Sequence, residues 1–442
     1  MPAQQLSEDA SAAVFERKTA RKISLRLIPL LAVSFCIAYI DRVNVSFAAL
    51  QMNRDLHFNA SVYGFGAGVF FLSYAACEVP SNLLLLRFGP RRWIARVMVT
   101  WGVIAVSMVL VSRPWEFYVL RFLLGVAEAG FAPAVLYYFT LWFPQTERAR
   151  AISRFYLAIP ISGMFMASIS GPLLGLDGRL HFAGWRWLFL LEALPAIALG
   201  ILVFMILPDG PADARWLSSE ERTWVQNRIR QESNVSGDRH TAIGETLRDP
   251  RIWVLGFFNL ATMTIGYSYT LSAPLLIKAL TGYSNSVVGL IIASISFCVA
   301  VAIIANGAVA SGKHSPYLHI VIPTFVIIFG CLGAGFFRVP ALVICSLALI
   351  TISHLANFSP LCAIATSFLE EKAAATGLAL MNSIGLVGGF IGPYYMGLVK
   401  DHTGSYQKGF PLLAIPCFVA VLLVLRLRRR TVSIRGLAPS TT

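Results

Sequence analysis

Long apolar runs, each of roughly 20 residues or more and divided by short polar stretches, dominate the chain. Crossing the hydrocarbon core of a bilayer takes about 20 apolar residues in helical form, and twelve segments qualify: 23–49, 60–86, 92–112, 115–142, 149–176, 185–208, 251–277, 286–311, 316–337, 339–369, 373–399 and 407–427. None shows the strict period-2 alternation of a barrel strand. In lipid each backbone polar group must be paired within its own segment, so helices are expected throughout. Residues 1–22 are polar, and the run that follows is too long for the apolar region of a signal peptide, so no cleavable signal is expected.

Composition agrees with this pattern. Of 442 residues, 57% are hydrophobic and 13% charged, against about 45–50% and about 25% in soluble domains. The mean hydropathy is +0.69. Disorder, a collagen-like repeat, a disulfide scaffold and a soluble enzyme are all disfavoured. The net charge of +14, from 36 Lys and Arg against 22 Asp and Glu, would raise nucleic-acid binding in a soluble protein, so its distribution matters. Counted with their flanking turns, the tails and even-numbered loops hold about 26 of the basic residues and the odd-numbered loops about 8, as the positive-inside rule produces. The excess therefore predicts two cytoplasmic termini and an even number of spans, contact with anionic lipid and no nucleic-acid partner. The seven cysteines, Cys36, Cys77, Cys298, Cys331, Cys345, Cys362 and Cys417, all lie in apolar runs and form no C-x-x-C pair. Free core thiols are expected, without disulfides or metal.

One long polar stretch, 209–250, divides the chain. Within it Ser218 and Glu221 have the spacing of a capping box, and Trp224, Val225 and Ile229 form an apolar stripe, so a short surface helix is expected. The predicted organisation is a tail (1–22), a six-helix bundle (23–208), a linker (209–250), a second six-helix bundle (251–427) and a tail (428–442). The halves look related: Gly130-Phe-Ala-Pro133 and Asn357-Phe-Ser-Pro360 fall at equivalent points, and the same offset brings the loop Arg87–Arg92 near Lys313–His314. Duplicated halves with a site between them describe one large class of transporters.

An ionisable side chain at the centre of a membrane helix costs about 2.5–3.5 kcal/mol or more and needs a partner or a water-filled cavity. The first span nevertheless holds Asp41 and Arg42. The fourth holds Arg121, Gly125 and Glu128, which share one helix face. Two readings follow. The four charges could form structural ion pairs. Alternatively, Arg42 and Arg121 grip an anion by forked hydrogen bonds while Asp41 and Glu128 load and release protons. Glu78, before Pro80, and His354 in the tenth span are secondary candidates. Glu192, near Trp185-Arg186-Trp187, is expected to be a structural carboxylate paired near the outer surface. Tyr39, Tyr74, Tyr267, Tyr269, Asn357, Ser359 and Asn382 could hydrogen-bond substrate hydroxyls. The stretch Gly307–His314 nearly matches a phosphate-binding loop, but His314 stands where a hydroxyl should hold Mg²⁺, and a membrane span precedes it instead of a strand. It is set aside. No zinc-protease motif and no nucleophile–base constellation occur, so an enzyme is not expected.

Four segments carry a family resemblance: Tyr39-Ile-Asp41-Arg42-Val-Asn44, Glu78-Val-Pro80-Ser81-Asn82, Arg121-Phe-Leu-Leu-Gly125-Val-Ala-Glu128-Ala-Gly130-Phe-Ala-Pro133, and Asn382-Ser-Ile-Gly-Leu-Val-Gly-Gly-Phe-Ile-Gly-Pro393. From about residue 20 to about residue 430 the chain resembles the major facilitator superfamily and, within it, the anion:cation symporters. The stretch from Leu176 to Pro195 is most similar to bacterial members resembling tartrate and hydroxyphenylacetate permeases. The superfamily's loop signature is only partly kept: Arg87, Gly89, Arg91 and Arg92 match, but Asn82 replaces its first glycine and Leu86 its aspartate.

The resemblance implies an all-α fold of twelve membrane helices in two pseudo-symmetric bundles, working by alternating access. It implies substrate contact by Arg42 and Arg121 and cation coupling by Asp41 and Glu128. The expected function is uptake of a small organic anion, a hydroxy-dicarboxylate such as tartrate first, driven by a proton gradient in preference to sodium, with no cofactor and a monomer as the working unit. An exchanger or exporter of sugar acids or aromatic acids, and a membrane sensor that does not transport, are the alternatives.

Overall fold

The computed structural model describes residues 2–233, 248–309, 317–369 and 371–436, so the Lys313–His314 match and the decoy loop's Gly312-Lys313-His314 lie outside the described residues. The described chain is helical throughout its apolar runs. Eleven of these helices are long and apolar enough to cross a membrane. The twelfth, the seventh span Pro250–Thr281, has the length but is interrupted by Asn259, Thr262, Thr264, Ser268, Thr270 and Ser272. Two of these hydroxyls bond back to the helix's own carbonyls, Thr262 to Phe258 at 3.1 Å and Thr264 to Leu260 at 2.7 Å, which lowers the cost of carrying them within the bundle.

Several elements differ in extent from the sequence expectation. The first helix runs Pro2–Asp55 and the last Phe410–Gly436, so helix continues through both boundaries expected between bundle and tail. The fourth span is broken into Pro114–Glu128 and Phe131–Thr140. The cause is local: Pro133 has no N–H to give the Ala129 carbonyl four residues earlier, and Gly130 turns left-handed at φ +87°. Ser81 of the second span supplies the missing bond, donating its hydroxyl to Ala129 O at 2.6 Å and accepting the Trp93 indole N–H at 3.1 Å. Glu128 thus ends a half-helix, held in place from the second span. A Ser81→Ala change would leave a buried carbonyl and a buried indole unpartnered, at about 1–3 kcal/mol each. The expected result is a clearly lower unfolding temperature in detergent; an unchanged one would show that the bond does not hold the break.

The two halves meet along close helix pairs. The second span, Ala60–Phe88, lies against the eleventh, Glu371–Thr403. Here a side chain at Gly68 would come within 2.9 Å of the Phe390 carbonyl, the small-residue packing typical of membrane helices. At the face opposite the termini Asp401 joins the halves directly. One carboxylate oxygen accepts the Ala60 N–H at 2.9 Å and the other the Ser61 N–H at 2.8 Å, at the exposed amino end of the second span. Tyr63 adds a bond to Leu271 O at 2.7 Å.

The expected capping box forms: Glu221 N–H bonds to the Ser218 hydroxyl at 3.1 Å and Ser218 N–H to Glu221 at 2.8 Å, opening the surface helix Ser219–Ser233. That helix straps onto the first half. Lys22 pairs with Glu221 at 2.7 Å, Trp224 donates to Glu16 at 3.1 Å and Glu232 accepts the Gln145 N–H at 3.0 Å. Partial burial alone would raise the Glu221 carboxyl, but the Lys22 ammonium and the Ser218 groups outweigh it and hold the group below 4.5. Its contribution is therefore complete above that value and fades only as pH falls through the lowered one. The aspartate missing from the loop signature has a counterpart elsewhere: Arg91 reaches Asp209 at 3.6 Å and the Phe204 carbonyl at 2.8 Å, at the end of the sixth span, Gly184–Ile206.

Candidate substrate and coupling site

Three spans build the charged centre. On the fourth span, Arg121, Gly125 and Glu128 lie along one face toward the second span, where a Cβ on Gly125 would collide with the Phe70 carbonyl and the Ser73 hydroxyl. Without a side chain at 125, the two helices close until Phe70 fits between the arginines. Its ring centroid lies 4.9 Å from the Arg121 guanidinium and 5.4 Å from that of Arg42, while Tyr74 flanks Arg42 at 5.0 Å. Aromatic faces favour a cation most where water is excluded.

The first span then brings in Asp41, Arg42 and Asn44. Arg42 donates from Nη2 to Glu128 Oε1 in a short ion pair. Arg42 is thus engaged by a carboxylate, whereas Arg121 is not. Arg121 has no exposed surface; among the described residues it donates to the Ala67 carbonyl at 3.3 Å alone, and its Nε and Nη1 have no partner. Asp41 accepts from the Asn44 amide at 3.3 Å through one oxygen, leaving the other free. Arg121 and Asp41 influence one another electrostatically but form no ion pair within 4 Å. Of the structural ion pairs that the four charges could form, Arg42–Glu128 is the one present among the described residues.

The other expected residues divide. Tyr39 and Tyr267 act on Arg42 from the first and seventh spans, the Tyr267 ring tilted against Phe71 with centroids 4.1 Å apart. Glu78, one turn beyond Tyr74, also feels Arg42. Tyr39 and Tyr269 line a cavity of about 70 Å³ between the halves, with Ser46, Thr270, Ser296 and Thr351 as its other polar edges. The remaining candidates lie elsewhere. His354 sits behind the seventh span against Gly266 with its Nδ1 unpartnered. Asn357 ties the tenth span to the ninth through Thr324 at 3.1 Å. Ser359 is exposed and Asn382 half-buried, and neither hydrogen-bonds to the charged cluster among the described residues. Glu192 corrects its expectation most clearly. It is 6% exposed, and neither oxygen has a hydrogen-bond partner; the groups that act on it are Asn44 and Asp41.

The sequence pattern defining the Major Facilitator Superfamily matches residues 31–393. The chain belongs to that superfamily. A protein of Agrobacterium vitis named "Putative tartrate transporter" is 39% identical over 416 residues, spanning 94% of this chain and 92% of its own. A "Quinolone resistance transporter" of Acinetobacter baumannii is 36% identical over 92% of this chain and 94% of its own. Among solved structures, a bacterial homologue of the lysosomal transporter Spinster, inward-facing and occupied, superposes with a TM-score of 0.75 at 16% identity over 91% of this chain and 96% of that one. A D-xylose–proton symporter gives 0.72 at 15%, over 91% and 97%. These two likenesses show the shared twelve-helix fold. The superfamily and the named relatives make this chain a multi-pass membrane transporter and not an enzyme.

Proposed function

We propose that this transporter takes up a small organic anion together with protons, a hydroxy-dicarboxylate such as tartrate first, across a bacterial inner membrane with both termini in the cytoplasm. The observation that carries the proposal is the unequal state of the two arginines. Arg42 is held by Glu128, whereas Arg121 keeps two buried donors free. Once the buried centre opens, an incoming carboxylate finds Arg121 without a carboxylate partner but must displace Glu128 to reach Arg42. Protonating Glu128 removes that competitor, so proton and anion favour one another's binding, which is the reciprocal coupling symport needs.

Charge supports a dianion. With Asp41 and Glu128 ionised, the two arginines are balanced. With both protonated, two positive charges remain in a site of low dielectric, and two carboxylates match them. The cavity edge of hydroxyls from Tyr39, Tyr269, Thr270 and Thr351 suits a hydroxylated acid. No cofactor takes part; the proton gradient, in preference to sodium, supplies the driving force, and the chain works as a monomer. The Asp401 latch on the second span would close the periplasmic side and must open for loading.

A second reading draws on the relative named for quinolone resistance: export of an aromatic acid, received by the aromatic group Phe65, Phe390 and Tyr394 at the second and eleventh spans. Thermal unfolding of the purified protein with tartrate, related hydroxy-dicarboxylates, sugar acids and aromatic acids separates the two. A ligand at 100 times its Kd stabilises by about 2.7 kcal/mol. The hydroxy-dicarboxylates should stabilise most, and more at mildly acidic pH. A larger shift with aromatic acids would favour export, and no shift with any acid would overturn the anion site.

A further inference from the structure

The buried carboxylate Glu192 has no place in the scheme above. It sits on the sixth span, which packs against the first and third spans and the end of the fifth. Asn44, itself 1% exposed, lies between Asp41 and Glu192. The Asn44 Nδ2 donates to Asp41 Oδ1, whereas Asn44 Oδ1, Asp41 Oδ2 and both Glu192 oxygens lack partners. Four acceptor oxygens on these three side chains are thus left without a donor among the described residues, around an amide that acts on both carboxyls. Two ionised carboxylates at this depth, with a carboxamide oxygen between, would leave each acceptor desolvated and uncompensated.

We propose that Asp41, Asn44 and Glu192 form a proton-binding site in which the two carboxyls share one proton and Glu192 is its second carrier. One O–H completes the pattern. With the proton on Glu192, its O–H donates to Asn44 Oδ1 while Asn44 Nδ2 donates to ionised Asp41. With the proton on Asp41, the carboxamide turns over: Asp41 O–H donates to Oδ1 and Nδ2 donates to ionised Glu192. Either arrangement uses the amide on both sides. No covalent bond other than O–H is made or broken, and the pair carries one negative charge in both.

The charges of the centre close on this arrangement. Arg42 and Arg121 are positive, Glu128 is negative, and the Asp41–Glu192 pair contributes one more negative charge, so the unloaded centre is neutral. Three ionised carboxylates would leave it negative inside the membrane. Among the described residues, Asp41 is the one charged group that acts on Glu192. Arg42 is turned to Glu128 and Arg121 acts through Asp41. The third span carries its charges, Arg91, Arg92 and Arg96, in its first two turns, and Ala158–Leu174 of the fifth and Met108–Leu110 have none.

The inference rests on the reading of Asp41 as a coupling residue, but it can be tested without any substrate. Infrared titration of the purified full-length protein reads the carbonyl stretch of neutral carboxyl groups directly. At neutral pH the wild type should show such a band. Glu192→Gln and Asp41→Asn should each remove the band or shift its titration, because the carboxyl that remains then carries the pair's negative charge alone. An identical band in wild type and Glu192→Gln would overturn the proposal. If Glu192→Gln does not yield folded protein, Asn44→Ala serves instead, with an altered titration of the band expected and an unaltered one contradicting the shared proton. In proteoliposomes, Glu192→Gln should change the number of protons entering per tartrate, an effect a merely structural glutamate would not have; an unchanged ratio also counts against the proposal. Should the wild type carry no tartrate, the substrate assignment falls, while the infrared result still decides the role of Glu192.

Discussion

Replacing Arg121 with glutamine is expected to abolish both carboxylate-induced stabilisation and uptake. Arg121 is wholly buried, with two guanidinium nitrogens free of protein partners. If an anion takes both, two charge-assisted bonds are lost at about 1.5–3 kcal/mol each, which weakens binding by about 100-fold to 10,000-fold. The fold should survive. The change removes a desolvated charge from membrane depth and gives up one hydrogen bond of 3.3 Å, to the Ala67 carbonyl. Lysine keeps the charge but not the planar fork and should retain a small part of the affinity. The check is anion titration of each variant by thermal unfolding. Equal stabilisation of wild type and Arg121→Gln would remove Arg121 from the site.

Glu128→Gln should separate binding from coupling. Glutamine mimics the protonated glutamate, so Arg42 is released from its ion pair at every pH. Coupling energies of about 1–3 kcal/mol correspond to about 5- to 150-fold in affinity. In the wild type, anion affinity should rise by such a factor as pH falls and Glu128 takes its proton. In the variant, affinity should already be high at neutral pH and respond much less to acid. Exchange of labelled for unlabelled substrate should persist in proteoliposomes, while accumulation driven by a pH gradient falls to simple equilibration. Retained gradient-driven accumulation would exclude Glu128 as a coupling residue.

Much of this was legible because a membrane makes charge conspicuous. Twelve long apolar runs announce the helices, and against them Asp41, Arg42, Arg121 and Glu128 stand out, all of which the fold brings to one centre. What the sequence hides is partnership. Both arginines look alike in the chain, yet Arg42 has Glu128 and Arg121 has free donors, a difference set by how the fourth span lies on the second through Gly125. Glu192 reads as a structural carboxylate paired near the outer surface because Trp185-Arg186-Trp187 precedes it; the packing of the sixth span on the first instead buries it unpaired near Asn44. Ser81 carries no charge and gives no signal until the broken helix at Ala129 exposes the carbonyl it serves. Hydroxyl candidates in the second half were the least legible. Asn357 is consumed by a helix–helix bond to Thr324, a role no spacing distinguishes from substrate contact.

The central claim is that protons and an organic anion cross together. The most direct measurement is uptake, by wild-type protein in proteoliposomes, of whichever acid raises the unfolding temperature most, with and without an acid-outside pH gradient. Accumulation above the external concentration with the gradient, collapsing to equilibration when a protonophore is added, is the predicted result. Equal uptake in the presence and absence of the gradient would contradict it.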